Sequence, residues 1–434
     1  MKFPGKRKSK HFFPVAQRQG HRIIAGQSPE IPMPYIVGID QTLVDIEAKV
    51  SEADLQRFGL PKGQSSLVSD EQAEALYQFI TQNSSPVKQH AGGSIANTLH
   101  NYSVLANGRS VQLGVMSENI GIGSYAYRYL CDTSSKVDLD QLQGVDGPIG
   151  RCFTLISEDG QRTFAISGGK MNYLREDSIS QGVVASSAAL VLTAYLVRSQ
   201  GDETITDATF KAIEYAKAAS VPVVLTLGTR FLIEQDPDFW KRFVQDHVTV
   251  LAMNEEEALA LTGESEPLLA IKTALQWCDL VLCTAGSEGL FIGSHCEHEA
   301  LRKTKYELQD SSLSQFNQYE FSRAMRYSDC SEAVQVYSHI APYLGGPEKI
   351  ANTNGAGDGA LSALLHDMSA NTYHRQLMPN SAKQDRAYLS YSSIAQICKY
   401  ANRVSYQVLN QHSPRLNAAL PEREDSLEES YWDR

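Results

Sequence analysis

An α/β fold, with a mostly parallel central sheet flanked by helices, is what the sequence predicts, and three patterns predict it. Between residues 188 and 283, buried β-rich runs alternate with helical stretches. Ala188 to Val197 reads as a strand, Thr206 to Ser220 as a helix, and Val221 to Leu227 and Val248 to Met253 as strands. Asn254 to Thr262 is then a helix and Leu280 to Cys283 a strand. Such alternation builds parallel sheets whose ligands sit beyond the carboxyl ends of the strands. Second, Leu361, Leu364, Leu365 and Met368 fall at i, i+3, i+4 and i+7, the apolar stripe of a helix that begins near Gly355 and Gly357. Third, Arg151 to Ile156 and Arg162 to Ile166 are β-rich runs joined by Ser157-Glu158-Asp159-Gly160, a hairpin signal outside the alternating region.

The remaining elements follow in order. Pro34 to Ile39 reads as a buried first strand, and from Leu43 apolar and polar residues alternate to Val50, as in a half-exposed strand. Asp70 to Gln82 and Ser94 to Leu105 are helical, Arg109 to Met116 is a strand, and Tyr125 to Leu130 is amphipathic. Val334 to Ile340 returns to strand character and Ile394 to Leu409 is helical. Residues 1–33 form an extension whose Lys2, Lys6, Arg7, Lys8 and Lys10 make a solvated basic cluster with no apolar segment behind it. Residues 34–418 form the main domain, with a polar insertion at about 295–333, and 419–434 are an acidic tail.

Composition excludes several classes. A net charge of −11 over 434 residues argues against nucleic acid as a partner, because phosphate backbones need basic faces. No apolar run reaches the length of a membrane span. Seven cysteines, an odd number without a Cys-x-x-Cys pair, read as reduced thiols of a cytoplasmic protein. His295-Cys296-Glu297-His298 is too compact to close a tetrahedral zinc site.

The chemistry concentrates at Gly355-Ala356-Gly357-Asp358. A helix start leaves its first N–H groups without intrahelical partners and carries partial positive charge. Glycines let that backbone approach a ligand, so several N–H groups can point at one anion. A carboxylate at the mouth of such a hole repels the anion unless it has another task. Taking the proton of a hydroxyl that attacks the bound phosphorus is the natural one. The alternative is a plain turn with Asp358 as a dipole-stabilised helix carboxylate. Neither a Walker loop nor the Gly-x-Gly-x-x-Gly of a dinucleotide fold is present, which counts against an oxidoreductase. Upstream, Gly92 and Gly93 precede a helix carrying Asn97 one turn in, and Asp40 and Asp45 bracket the exit of the first strand.

These stretches resemble a known family. Asn352-Thr353-Asn354-Gly355-Ala356-Gly357-Asp358 looks like the Asp-Thr-x-Gly-Ala-Gly-Asp signature of the ribokinase-like (PfkB) carbohydrate kinases. Ala91-Gly92-Gly93-Ser94-Ile95-Ala96-Asn97 matches a second signature, a Gly-Gly pair with an Asn four residues on. The resemblance covers roughly residues 34–412 and is strongest to nucleoside kinases. It implies a three-layer sandwich with a small β lid, expected at about 43–50 and 110–170. It also implies ATP-dependent phosphorylation of a purine nucleoside at its 5′-hydroxyl, inosine and guanosine being the expected acceptors and adenosine or a sugar the alternative. Asp358, with the amides of Gly355, Ala356 and Gly357, would be catalytic. Asp45, with Asp40, Gly92, Gly93 and Asn97, would hold the sugar. Arg198, directly after Val197 at a strand end, either reaches a purine or a phosphate or is a surface Arg that starts a loop. Asn254 and Glu257 match an Asn-x-x-Glu motif that holds Mg²⁺ through water, although the same spacing makes a capping box. Thr284, Gly286, Ser287 and Gly289 resemble the loop that wraps ATP, Gly357 would also meet its phosphates, and Asn402 would contact adenine. Relatives pair lid sheets between subunits, so a homodimer is a further expectation. The signature opens with Asn352 where relatives carry an Asp that helps bind K⁺, and an amide oxygen could coordinate K⁺ only without charge.

Overall fold

The computed structural model describes residues 33–83, 87–198, 201–304, 316–351 and 353–420. The basic cluster of the N-terminal extension, the acidic tail from 421 and Asn352 with its K⁺ question lie outside the described residues. In chain order the strands are β1 (Ile36–Ile39), β2 (Leu43–Lys49), β3 (Ser65–Leu67), β4 (Lys88–Ala91), β5 (Ser110–Ser117), β6 (Val137–Asp138), β7 (Leu142–Val145) and β8 (Gly150–Ile156). They continue with β9 (Arg162–Ser167), β10 (Leu190–Thr193), β11 (Val223–Thr226), β12 (Val250–Asn254), β13 (Leu280–Ala285), β14 (Gly289–Glu297) and β15 (Ala333–Ile340).

Runs that are apolar on both faces form the central sheet, since helices cover both sides. β1, β5 and β10 are buried at every position. The order is β15-β14-β13-β12-β11-β10-β1-β5-β6, with β7 on the far part of β5. Pairing is parallel from β5 through β1 and β10 to β13, and antiparallel from β13 through β14 to β15. Successive residues of β1 point to opposite faces. Val37 and Ile39 join the core under the helices Ile205–Ala218 and Pro237–His247. Ile36 joins the core under Ser94–Ala106, Ala356–Leu377 and Ile394–Leu409. Three layers result. The chain winds outward in both directions from β1, so the switch point of the sheet is the carboxyl end of β1, and the next residue is Asp40.

A second sheet, ordered β3-β9-β8-β2-β4, has a core of its own that includes Ile46, Phe153, Leu55 and Ile80. It corrects the expected lid boundaries. β2, β8 and β9 belong to it as expected, but β5 to β7 lie in the central sheet, and β3 and β4 complete the small sheet instead. Strand membership depends on long-range pairing, which local β character does not encode. The insertion also begins later than expected, because β14 runs through His295 and Cys296 to Glu297. Its described part packs back on the protein. Arg323 donates to Asn371 Oδ1 at 2.9 Å and lies 3.8 Å over the Tyr388 ring.

Candidate active site

The helix Ala356–Leu377 starts without a side-chain cap. Its N-cap is Gly355 at φ 82°, and a Cβ there would stand 2.4 Å from the Cβ of Pro414. Left-handed backbone and this crowding both demand glycine. No N-cap side chain therefore takes the first amides of the helix. Asp358, in the first turn, is partly exposed. Its Oδ1 accepts from Ser94 Oγ at 2.6 Å and its Oδ2 from Asn97 Nδ2 at 3.2 Å. Both donors sit on the first turn of Ser94–Ala106, so the two glycine-led helix starts meet head to head.

Gly93, N-cap of that second helix, has φ 92°, and a Cβ on it would fall 2.2 Å from Asp40 Oδ2. A Cβ on Gly92 would fall 2.6 Å from Asp45 Oδ2. The structure thus brings Asp40, Asp45, Gly92, Gly93, Asn97 and Asp358 together. Asp40 departs from its expected role, however. It is 2 % exposed, with Oδ1 taken by Gln41 N at 2.9 Å and Oδ2 by Ala96 N at 2.6 Å. It caps the helix Ser94–Ala106 from outside, whereas Asp45 stays partly open. Burial is the main cause that lifts the acids above the usual carboxylate range: Asp358 to about 6, Asp45 to about 6 and Asp40 to about 7. Asp358 adds to the rise at Asp45 and Asp40, and the Arg415 guanidinium opposes it at all three.

Asn254 and Glu257 form the capping box. Glu257 N donates to Asn254 Oδ1 at 2.8 Å, and Glu257 accepts from Asn254 N at 3.0 Å and from Nδ2 at 3.1 Å. Burial, then its main-chain bond and the charge of Asp358, leave Glu257 at about 7. Glu255 and Glu256 share the first turn, so the donor set suits a hydrated Mg²⁺ held by outer contacts. No cluster of three His, Cys, Asp or Glu able to grip a metal directly occurs among the described residues. Thr284 is the next-to-last residue of β13, and Gly286, Ser287 and Gly289 turn the chain into antiparallel β14. A Cβ on Gly286 would lie 3.5 Å from Glu255 Oε1, so this loop faces the acidic turn. Arg198 lies 5.0 Å over the Tyr195 ring. Asn402 spends its amide on the backbone, donating to Ala341 O at 2.8 Å and accepting from Tyr343 N at 3.3 Å.

Three further residues touch the site. Ser94 sits inside the quoted Gly-Gly motif, and its place directly after Gly93 was the available signal. Arg162, on β9 of the small sheet, reaches Thr353 Oγ1 at 3.4 Å and Asn354 Oδ1 at 3.3 Å, linking that sheet to the loop before the amide hole. Arg415 lies beyond the last helix, where no motif marks it.

The pfkB family carbohydrate kinase pattern matches residues 71–310, more than half of the chain. The chain belongs to the pfkB family. Among pfkB relatives, the guanosine-inosine kinase of Escherichia coli strain K12 is 64% identical over 434 residues, all of both chains. Solved structures share the pfkB fold at lower identity. Adenosine kinase from Sinorhizobium meliloti superposes with a TM-score of 0.65 at 21% identity, covering 89% of this chain and 97% of that one. Adenosine kinase from Schistosoma mansoni in complex with 2-fluoroadenosine gives 0.61 at 16% identity, over 90% and 99%. The central sheet, its helical layers and the small sheet are thus a ribokinase-like architecture.

Proposed function

We propose that the chain transfers the γ-phosphoryl group of ATP to the 5′-hydroxyl of a purine nucleoside, with inosine and guanosine as acceptors. The observation that carries this is Asp358, held by Ser94 and Asn97 at an uncapped helix start. The full-length identity to a guanosine-inosine kinase supports the acceptor class.

Asp358 accepts the proton of the 5′-hydroxyl as that oxygen attacks. The amides of Gly355 to Asp358 receive the charge that spreads onto the transferred phosphoryl oxygens. Asp45 accepts from two vicinal ribose hydroxyls, and Asn97 with the Gly92–Gly93 backbone fixes the ring. The loop from Thr284 to Gly289 borders ATP. Glu257 and its neighbours Glu255 and Glu256 would hold a hydrated Mg²⁺, which would supply positive charge toward the phosphates. Arg162 draws the small sheet onto the 353–354 loop, and that closure keeps water from competing as acceptor. All seven cysteines are free thiols, which fits a cytoplasmic setting, and no helix among the described residues is long and apolar enough to cross a membrane.

A panel of inosine, guanosine, adenosine and ribose, each with labelled ATP and Mg²⁺, tests this. Product should form with inosine and guanosine at a kcat/KM at least about tenfold above adenosine, a difference of about 1.4 kcal/mol. Preference for adenosine or ribose would replace the acceptor assignment. ATP and nucleoside binding without product would replace the enzyme by a binding protein.

A further inference from the structure

Arg415 is 4 % exposed, and each bond to its guanidinium goes to a neutral oxygen. Nε donates to Asn97 Oδ1 at 3.0 Å, Nη1 to Thr133 Oγ1 at 2.8 Å and Asp132 O at 3.2 Å, and Nη2 to Gly92 O at 3.2 Å. The guanidinium also lies 5.4 Å from the Tyr129 ring centroid, and a buried cation met only by dipoles and a ring is costly unless charge nearby compensates it. The compensation comes from Asp40, Asp45 and Asp358, whose ionised forms it favours. The segment that carries it is fixed on both sides. Asn101 donates to Pro414 O at 3.1 Å and accepts from Leu416 N at 2.7 Å, His100 Nε2 meets Leu416 O at 3.1 Å, and Pro414 packs on Gly355.

The geometry also orients an amide. Asn97 has one oxygen and one NH₂, and a guanidinium N–H can meet only the oxygen. With Oδ1 turned to Arg415, Nδ2 is turned to Asp358. Gly92, half of the proposed sugar floor, is held by the same fork. We propose that Arg415 is a positioning residue for phosphoryl transfer: it sets the Asn97 amide against Asp358 and places a buried positive charge beside the acidic cluster. This rests on the kinase assignment above. The charged groups around Asp358 are Asp40 and Asp45 beyond the ends of β1 and at β2, Glu257 from the helix Glu255–Thr262, Arg415, and Arg162 from β9 beside the 353–354 loop. Acids dominate this set, so losing Arg415 leaves Asp358 holding its proton to higher pH.

Two variants divide the roles. Arg415→Ala removes both charge and fork, whereas Arg415→Lys keeps the charge and loses the fork. In Arg415→Ala, kcat/KM for inosine should fall about 10²-fold, the acid limb of its pH profile should move up by about one unit, and added methylguanidinium should restore part of the rate. In Arg415→Lys the acid limb should stay within about 0.3 unit while KM for inosine rises about tenfold. Thermal unfolding and ATP titration establish that each variant is folded. An Ala variant with an unmoved acid limb and no methylguanidinium response overturns the proposal, even if its Tm falls. If Arg415→Ala does not fold, Arg415→Lys decides alone: a displaced acid limb or an unchanged KM overturns it. Neither outcome touches the kinase assignment, which fails only if the unaltered chain phosphorylates no nucleoside.

Discussion

Two helices begin close enough for Asp358 on one to act on Glu257 of the other, and they treat their orphan amides in opposite ways. At Glu255–Thr262 the Asn254 side chain takes Glu257 N, and Glu257 takes Asn254 N, so that end is closed by its own residues. At Ala356–Leu377 the N-cap is Gly355, no side chain returns, and Asp358 turns instead to Ser94 and Asn97. The chemistry available is the same at both ends: partial positive charge and unpaired N–H groups. What differs is whether the sequence supplies a cap. A closed end stabilises the fold, and one opened by a glycine N-cap forgoes only about a few tenths of a kcal/mol of capping while leaving its amides uncovered. The contrast separates a helix start closed by its own side chains from one left open more sharply than either motif does alone.

The largest expected effect comes from the carboxylate at the open end. Asp358→Asn should lose at least about 10²-fold in kcat while ATP and nucleoside still bind, and near-normal turnover would remove Asp358 from its assigned role. The wild-type kcat/KM should rise through about pH 6, where Asp358 ionises, a limb readable from initial rates between pH 5 and 9. The same substitution should stabilise the fold. A carboxyl whose folded pKa lies above its unfolded value contributes stability at low pH that fades as pH rises through about 6. Asp358→Asn should therefore gain about 1 kcal/mol over the wild type at pH 8 and nothing at pH 4, by urea denaturation. Gly355→Ala should come next. Its φ of 82° and the 2.4 Å approach to Pro414 predict about 1–3 kcal/mol of destabilisation, with a raised KM for ATP because the amides shift. Unaltered stability would mean that Pro414 gives way freely. The smallest effect belongs to the closed end. Asn254→Ala should cost about 1 kcal/mol in thermal unfolding and less than about tenfold in kcat. An abolished kcat with an unchanged Tm would assign Asn254 to the metal and not to its helix.

Local signals made much of this legible. The glycine-led helix starts, the Asp45 strand and the alternating strands after residue 188 all show in composition and period, because each is fixed by neighbours a few residues away. Asp40 was recognisable as a special acid but not as a cap, since the amide it serves belongs to Ala96, 56 residues on. The antiparallel β14–β15 pair and the membership of β3 and β4 in the small sheet depend on pairings that period-2 patterns leave open. Arg415 was hidden most completely. It follows the last helix, carries no motif and meets Asn97 across 318 residues of chain.

The strap at Pro414 to Leu416 has a consequence for biosynthesis. Synthesis proceeds from the N-terminus, and domains begin to organise as they emerge. Asp40, Asp45 and Asp358 are all translated before the guanidinium that offsets them. Until residue 415 leaves the ribosome the nascent chain presents three crowded acids with no buried cation between them, so competence for phosphoryl transfer arrives with the strap, after every helix of the described fold has been made.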